Sequence, residues 1–509
     1  MKFLNITPNN LYDISYFGQS VAINSGDIAV IGAYGQDNYG KAYIYKKYPQ
    51  EWKWQKIQEI APLDGYGGDG FGYSVDINYE GNVLAISAPN SNSQVGAVYI
   101  YTGREDSWSQ VEKIDGDNPS DYFGWNIDLN KSGNKLVIGS YRPLNSGFAD
   151  LYQGSGTNWN KMIRFWDSGI GHSITGALYG AKVAINTGDY VFISAYGQDD
   201  VGAVYVYSET GNWSQLGILT GESTGNLRDA SGDLVFGSVE FGKSLHVTEN
   251  AKNILIGSVG ENELSGAVYL FKNTGNNSWN IDNKFTGITS RFGQSTFVND
   301  SGNLIYASSL NSSGTIYSYF KISNTWYKYL TINNLNPVSG SSFGKNITLN
   351  KNYDTMVVGD PNYQITKGNA YILSAPWDNF INYYGVNESE IYNYCVCNTG
   401  LNCRDCCGIT TDFSIITGYK NNLNNLNLQL SLTIENLNCT STSDIYKFYN
   451  HSNPVYTDIY QLGNLGSVYS GNILIKDIKP INNLINLEWK VFNLGKEYKL
   501  YTGLNINNY

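Results

Sequence analysis

The chain has 509 residues, with 33 Lys and Arg against 44 Asp and Glu and a formal net charge of −11. This charge argues against a nucleic-acid-binding or polybasic membrane-binding function. A compact domain usually has about 100–200 residues, so a chain of this length forms several domains, a repeat array or a large closed all-β ring. Only 15% of the residues are charged, but 41% are hydrophobic, which indicates a globular protein.

The two ends of the sequence differ in composition. Residues 1–10 lack the apolar core of roughly 7–15 residues that a secretory signal needs, and no apolar run approaches the roughly 18 residues that span a bilayer. We therefore expect a soluble chain without a signal peptide. All six Cys lie beyond residue 390, so any metal or disulfide chemistry belongs to the C-terminal part.

A Phe-Gly or Tyr-Gly dipeptide opens a similar segment at intervals of about 50–60 residues. It occurs seven times, at Phe17, Phe71, Phe123, Tyr179, Phe241, Phe292 and Phe343. A short alternating strand follows each dipeptide, then an Asn- and Gly-containing turn, an apolar strand that ends in small residues, and in most repeats a Gly-x-x-Tyr strand. A Trp marks a fourth strand in six repeats. Four strands in each of seven repeats predict an all-β, seven-bladed β-propeller.

The seventh repeat has no Trp-marked fourth strand. The N-terminal sequence Lys2-Phe-Leu-Asn-Ile6 is similar to the fourth-strand sequence Lys328-Tyr-Leu-Thr-Ile332. We therefore predict that residues 1–8 complete the last blade and close the ring, which leaves no open sheet edge. The predicted propeller domain covers residues 1–380.

The repeat resembles the FG-GAP repeat of the integrin α-subunit N-terminal propeller, and is most similar to its shorter bacterial and viral-type variant. Phe71-Gly-Tyr-Ser-Val-Asp-Ile77, Ile86-Ser-Ala-Pro89 and Gly96-Ala-Val-Tyr-Ile-Tyr101 carry the pattern in the second repeat. The resemblance covers residues 1–378. It implies a seven-bladed propeller used for adhesion and protein contact.

One family feature is missing from these repeats. Integrin-type repeats have an Asp-rich calcium loop after the first strand, whereas this chain has short turns such as Asn24-Ser-Gly-Asp27 and Asn186-Thr-Gly-Asp189. Calcium takes six to eight oxygen ligands. We therefore expect no calcium in these loops and interpret their Asn and Gly as tight-turn residues.

Binding is expected on one end of the ring, where the second loop of each repeat and the inter-repeat loops emerge. These loops vary in length and carry many carboxylates, as binding loops on a rigid scaffold do. The candidate partner-binding residues are Asp37, Asp64, Asp69, Asp115, Asp117, Asp199, Asp200, Glu261 and Glu263.

An alternative is a propeller enzyme, a hydrolase or lyase, with a site in the channel. Asp76, Asp128 and His246 occupy the same position of the first strand in three repeats, so they converge on the channel if that strand is innermost. Solvated polar residues lining the channel explain the same pattern. A glycan-binding lectin is a third function class, because Tyr, Trp and Asn are abundant.

The region 381–509 is predicted to be a Cys-containing, sandwich-like β domain, because its apolar residues alternate with period two. Cys395, Cys397, Cys403 and Cys406 could supply four thiolates to one zinc ion. With Cys407 and Cys439 the six Cys could equally form three disulfides. We expect this domain to anchor the propeller or to self-associate.

Together these features predict a non-enzymatic interaction or adhesion protein that presents its propeller loops to a protein partner. The abundance of Asn, Ile, Tyr and Lys suggests an AT-rich genome. With a repeat of this type, that composition resembles proteins of large DNA viruses, so a structural component of a virus particle is the more specific hypothesis.

Overall fold

The chain consists of two compact units, residues 2–374 and 375–509. In the first, the computed structural model describes residues 2–8, 10–12, 14–26, 28–48, 53–104, 107–141, 147–166, 177–187, 190–222, 239–275, 277–287, 290–311, 313–322, 325–334, 337–338 and 340–374. In the second it describes the backbone of eight strands. The predicted boundary at residue 380 lies outside the described residues.

The first unit is a seven-bladed β-propeller, as predicted. Each blade is a four-stranded antiparallel sheet. Blade 1 is β2 (Val21–Ile23), β3 (Ile28–Ala33), β4 (Lys41–Tyr48) and β5 (Lys53–Ile60); blade 2 is β6 (Val75–Ile77), β7 (Val83–Ala88), β8 (Ala97–Arg104) and β9 (Ser107–Asp115). Blade 3 is β10 (Phe123–Leu129), β11 (Lys135–Ser140), β12 (Phe148–Ser155) and β13 (Asn158–Phe165); blade 4 is β14 (Tyr179–Ile185), β15 (Tyr190–Ala195), β16 (Ala203–Ser208) and β17 (Ser214–Leu219).

The remaining three blades follow the same order. Blade 5 is β18 (Phe241–Val247), β19 (Asn253–Ser258), β20 (Ala267–Asn273) and β21 (Trp279–Thr286); blade 6 is β22 (Phe292–Val298), β23 (Leu304–Ser309), β24 (Thr315–Ile322) and β25 (Thr325–Asn333). Blade 7 is β26 (Ile347–Leu349), β27 (Thr355–Asp360), β28 (Asn369–Ser374) and β1 (Lys2–Asn5).

The N-terminal strand closes the ring, which confirms the prediction. β1 pairs antiparallel with β28, with Leu4 opposite Ile372. The pairing continues past the strand, because the Ile6 N–H donates to the Ala370 carbonyl at 3.1 Å. The Tyr45 hydroxyl of blade 1 donates to the Ile6 carbonyl at 2.5 Å, so the closing segment joins the last blade to the first.

The core lies between the blades. The second strand is buried along its whole length in blades 1, 5, 6 and 7 and at all but its first residue in blades 2, 3 and 4, since both faces of an inner strand pack against neighbouring blades. The ring of each repeat-opening Phe or Tyr packs edge-on against the Tyr of the third strand, as for Phe17 and Tyr43 at 5.3 Å between centroids. Six blades have this pair; in blade 3 Asp150 replaces the Tyr.

The connections include a few short helical turns. The four-residue helices are α1 (Ser91–Gln94), α2 (Glu261–Leu264) and α3 (Tyr363–Thr366), and the 3₁₀ turns are Gln36–Asn38, Gln198–Asp200 and Glu209–Gly211. Within the part of the chain that the structure describes, no helix has the length and hydropathy to cross a membrane.

The second unit contains eight described strands. They are β29 (Val396–Cys397), β30 (Thr410–Asn422), β31 (Asn425–Glu435), β32 (Asp444–Asn450), β33 (Asn453–Leu462), β34 (Val468–Lys476), β35 (Leu484–Asn493) and β36 (Lys496–Asn505). One sheet has the strand order β29-β36-β35-β32-β33 and the other β30-β31-β34. The sandwich-like packing of this unit stays a prediction.

Candidate functional site

The first strand of each blade lines the central channel, because first strands of neighbouring blades contact one another around the ring. Each of these strands begins at its Phe-Gly or Tyr-Gly dipeptide. We call the end where the dipeptides, the inter-blade loops and the second loop of each blade lie the loop face. The opposite end, with the first and third hairpin turns, is the turn face.

The channel residues Asp76, Asp128 and His246 connect neighbouring blades. Asp76 Oδ2 accepts from the Leu129 N–H of the next blade at 2.6 Å, and Asp128 Oδ2 accepts from the Ile185 N–H at 2.6 Å. His246 Nδ1 accepts from the Val298 N–H at 3.2 Å. A second contact of Asp76 is with its own chain neighbour, since Oδ1 accepts from the Ile77 N–H at 2.9 Å.

Burial shifts the pKa values of all three side chains. Desolvation raises the pKa of Asp76 to about 7, and desolvation together with the charge of Asp76 raises the pKa of Asp128 well above its ordinary value. Desolvation lowers the pKa of His246 to about 4. Perturbed pKa values occur both at active sites and in structural networks. Here each group already accepts a backbone hydrogen bond that joins two blades, and this supports a structural role.

Most of the predicted partner-binding carboxylates that the structure describes form contacts within the chain. Asp64 pairs with Lys113 at 2.5 Å, Asp37 with Lys41 at 2.5 Å and Asp117 with Arg164 at 2.5 Å. Asp115 lies 3.3 Å from Lys113. These pairs lie at or near the loop face and leave the carboxylates partly exposed.

The other predicted carboxylates differ in exposure. Asp69 is 5% exposed and accepts the Tyr66 N–H at 2.7 Å, so it stabilises its own loop. Glu261 is 2% exposed, contacts the Tyr269 hydroxyl and pairs with Lys284 at 2.5 Å. Glu263 is exposed, and Asp199 lies in the 3₁₀ turn of blade 4. The side chain of Asp200 lies outside the described residues.

A set of exposed apolar side chains on neighbouring loops was not predicted from the sequence. Its members are large hydrophobic residues on two consecutive inter-blade loops: Tyr12, Ile14, Leu63 and Tyr66, with exposures of 60%, 58%, 90% and 78%. We call them the loop patch. The turn Gln36–Asn38 connects both loops, because the Tyr12 N–H donates to Gln36 Oε1 at 3.2 Å and the Gly68 N–H donates to the Asn38 carbonyl at 2.7 Å. Sequence reasoning assigned the same loops to binding on the basis of their carboxylates, and the apolar side chains were missed because solvent exposure depends on the fold.

In the short hairpin turns, Asn side chains accept hydrogen bonds from backbone N–H groups. Asn24 Oδ1 accepts from the Ile28 N–H at 2.8 Å, and Asn78 Oδ1 accepts from the Val83 N–H at 2.9 Å. Among the described residues, no group of three His, Cys, Asp or Glu side chains is placed to hold a metal ion. Cys395, Cys403 and Cys406 lie outside the described residues, and only the backbone of Cys397 is described.

Comparison with known proteins gives a family match and distant structural likenesses. A model of the FG-GAP repeat family matches residues 5–45 and 54–101. No curated protein sequence matches the chain. The solved structure of Sqt1 from Saccharomyces cerevisiae is similar at 11% identity and a TM-score of 0.42, over 74% of this chain and 98% of that chain. A chain of a mitotic checkpoint complex is similar at 10% identity and a TM-score of 0.46, over 74% and 93% of the two chains.

The first matched segment covers the first three strands of blade 1, and the second runs from the fourth strand of blade 1 through the third strand of blade 2. The same four-stranded pattern continues through all seven blades. The matched segments are therefore similar to FG-GAP repeats.

Proposed function

We propose that the chain is a non-enzymatic interaction protein whose propeller binds a protein partner through its loop face. The observation that carries this proposal is the loop patch. Several large apolar side chains that are exposed on loops joined by one turn are typical of an interaction surface. Tyr is also among the residues enriched in protein interfaces, because its ring supplies apolar contact area and its hydroxyl a hydrogen bond.

The surroundings of the loop patch support a specific interface. Asp37 and Asp64, on loops next to the patch, are held in ion pairs with Lys41 and Lys113 and remain 23% and 49% exposed. A polar rim around an apolar centre is the usual arrangement of protein interfaces. Because the rim carboxylates are accessible, a partner with basic side chains around an apolar centre fits this surface.

The FG-GAP propeller family is generally non-enzymatic, which agrees with this proposal. The channel geometry also supports it, because Asp76, Asp128 and His246 accept hydrogen bonds from the backbone of neighbouring blades.

The test is a binding measurement with matched surface variants. A partner is first captured from extracts of the source and identified, and its affinity for the intact chain is then measured by calorimetry. The loop-patch variant is Leu63→Ser with Tyr66→Ser, and the control is Leu216→Ser with Ile218→Ser, two exposed hydrophobic residues on the outer strand β17. We expect the loop-patch variant to weaken binding by about tenfold or more and the control by less than about twofold. Equal affinity of the two variants would contradict the proposal.

We also propose that the chain is a component of a virus particle. The Asn-, Ile- and Tyr-rich composition supports a component of a large DNA virus particle. In that setting the C-terminal unit would anchor the propeller or self-associate. Mass spectrometry of purified particles tests this part: enrichment of the chain with other particle proteins would support it, and its absence from particles would contradict it.

The state of the C-terminal Cys is decided by native mass spectrometry of the intact chain. A mass excess of one zinc ion that is lost on denaturation would support a zinc site at Cys395, Cys397, Cys403 and Cys406. A deficit of about six protons without metal would indicate three disulfides.

A further inference from the structure

The channel mouth on the loop face has two chemically different halves. Blades 1 to 3 contribute aromatic rings, and blades 4 to 7 contribute cationic side chains. The residue after the Phe-Gly or Tyr-Gly dipeptide is aromatic in blades 2 and 3 (Tyr73, Trp125) and Lys in blades 5 and 7 (Lys243, Lys345), whereas blades 1, 4 and 6 have Gln19, Ala181 and Gln294.

The aromatic half is a continuous set of ring contacts. Tyr34 lies 5.4 Å from Tyr73, Tyr73 lies 4.7 Å from Trp125, and Trp125 stacks on Tyr141 at 4.2 Å between centroids. These residues are half-buried. These contacts restrain the orientation of the rings, so blades 1 to 3 carry a preformed aromatic cluster at the loop-face end of the ring.

The aromatic and cationic halves approach each other across the opening. Burial raises the pKa of Tyr73 in blade 2, and the nearby Tyr34, Tyr196 and Tyr141 raise it further. Burial and Tyr196 raise the pKa of Tyr141 in blade 3, whereas the nearby Lys243 of blade 5 lowers it. Lys243 Nζ lies 4.1 Å from the centroid of the Tyr196 ring. Hydroxyl and ammonium groups from at least four blades therefore lie around one opening.

The cationic half carries more positive charge than its carboxylate can neutralise. Lys182, Lys345 and Arg291 lie with Lys243 around the mouth, and Lys243 acts electrostatically on both Lys182 and Lys345. Glu240 pairs with Lys243 at 2.8 Å. Among the described residues, no carboxylate lies within ion-pair distance of Lys182 or Lys345. Glu240 also raises the pKa of Lys345, so among the described residues this one carboxylate partly offsets four positive charges, in a chain whose net charge is −11.

The position of Lys182 is itself unusual. At the equivalent position of other blades a Ser or Asn accepts a backbone N–H of the next blade, as Ser20 does from Val75 at 3.0 Å and Asn126 from Val183 at 2.9 Å. Lysine cannot accept a hydrogen bond. Blade 4 therefore lacks this connection to blade 5 and has a half-buried lysine at this position instead.

This arrangement costs stability in the free protein. Desolvation and the neighbouring positive charges lower the pKa of Lys182 and of Lys345 to about 8. Half-buried ammonium groups that repel one another need an anion for compensation. A tetrahedral oxyanion offers several acceptor oxygens and up to two negative charges, which fits a group of ammonium and phenol donors.

We propose that the loop-face mouth of the channel is a binding site for a phosphate or sulfate group, held by Lys182, Lys243 and Lys345 with the hydroxyls of Tyr73, Tyr141 and Tyr196. The group can be a free anion or part of a small sugar ester, whose ring would lie against the aromatic half. This site does not depend on the loop patch or on a protein partner.

The experiment uses inorganic phosphate and sulfate on the intact chain, with thermal unfolding and calorimetry as readouts. The test variant is Lys182→Met with Lys345→Met, and the control is Lys252→Met, an exposed lysine in a turn on the opposite face. We expect either anion to raise the Tm of the wild type more than sodium chloride at equal ionic strength. The double variant should lose about tenfold or more in affinity, and the control less than about twofold.

A second readout separates a ligand site from a structural role. Because the double variant removes mutually repelling charges, we expect its Tm in anion-free buffer to equal or exceed that of the wild type, while its response to phosphate is lost. A lower Tm together with a wild-type phosphate response would overturn the proposal. Equal anion effects on all three proteins would also overturn it, because they would indicate non-specific binding.

A third arm identifies the form of the ligand. Glucose 6-phosphate and inorganic phosphate are compared on the wild type and on Trp125→Ala. Tighter binding of the ester that is lost in Trp125→Ala would indicate a sugar ester. Equal binding of both compounds would indicate a free anion. Failure of both to bind would overturn the proposal.

Discussion

Gly32 of blade 1 lies so close to Gly72 of blade 2 that a Cβ on Gly32 would be 2.0 Å from the Gly72 carbonyl oxygen. Gly72 belongs to the Phe-Gly dipeptide of blade 2. The small residue near the end of the second strand of blade 1 therefore contacts the dipeptide of the next blade. Gly and Ser alternate at this position around the ring: Gly32, Ser87, Gly139, Ser194, Gly257, Ser308 and Gly359. The two parts of the repeat pattern are therefore two sides of one contact between blades.

This contact predicts a steric effect of Gly32→Ala. We expect a loss of about 1–3 kcal/mol in the free energy of unfolding, because backbone atoms on both sides of the contact cannot move away easily. Gly26→Ala is the control, since a Cβ there meets nothing within 4 Å, and it should change stability by less than about 0.5 kcal/mol. Guanidinium chloride unfolding measures both. Equal effects of the two variants would show that the contact is looser than described.

Asp150 and Arg164 form a buried ion pair in blade 3, where the other blades have a Tyr. Arg164 donates to Asp150 through Nε and Nη2, both at 2.6 Å, and Asp150 is fully buried. Lys161 lies 3.1 Å from the same carboxylate. We expect Arg164→Met to cost about 3 kcal/mol, because Asp150 is left buried with one partner.

A double variant tests whether the pair is needed for the fold. Arg164→Met with Asp150→Tyr restores the side chain of the other blades, and we expect it to recover most of the lost stability. Lys113→Met is the control, because it removes a partner of the half-exposed Asp64 and should cost less than about 1 kcal/mol. Chemical unfolding measures all three. No recovery in the double variant would mean that blade 3 requires the ion pair itself.

Ring closure predicts that the N-terminal segment stabilises all seven blades. Deletion of residues 1–8 exposes the edge of β28, so we expect a lower Tm in calorimetry. A peptide of residues 1–8 should restore the Tm in a concentration-dependent manner, and a scrambled peptide should not. Ile6→Ala is a milder variant and should cost about 2–3 kcal/mol, because Ile6 is buried at the closure. An unchanged Tm after deletion would contradict closure by this segment.

Asp76 and His246 are expected to contribute opposite pH dependences to the free energy of unfolding. The pKa of Asp76 rises from 3.8 to about 7, so its contribution to stability is present at low pH and is lost as pH rises through this window. The pKa of His246 falls from 6.5 to about 4, so its contribution is lost as pH falls from 6.5 to 4. Each group changes the free energy of unfolding by at most about 1.4 kcal/mol per pH unit.

Two variants separate these contributions. Asp76→Asn should make the slope of unfolding free energy against pH more positive between pH 4 and 7, and His246→Asn should make it more negative. Asn can accept the same backbone hydrogen bond in both places, so the ring is kept intact. Urea unfolding at several pH values gives the slopes. Slopes identical to the wild type would show that neither group titrates differently in the folded and unfolded states.

The repeat pattern alone was enough to predict seven blades, four strands in each blade and closure by the N-terminal strand. These features follow from local alternation and from a recurring dipeptide, and each blade repeats the same pattern. The sequence also placed Asp76, Asp128 and His246 at one register of the first strands. Their hydrogen bonds to Leu129, Ile185 and Val298 were not predictable, because the two partners of each bond lie more than 50 residues apart in the chain.

Only the tertiary structure brought together the cationic and aromatic residues at the channel mouth. Lys182, Lys243 and Lys345 are separated by about 60 and 100 residues in the sequence, where each is a single charge in its own repeat. Ring closure places these repeats around one opening, where the charges repel one another. The same closure exposes the loop patch, since a side chain's burial is set by its neighbours in space and not by its neighbours along the chain.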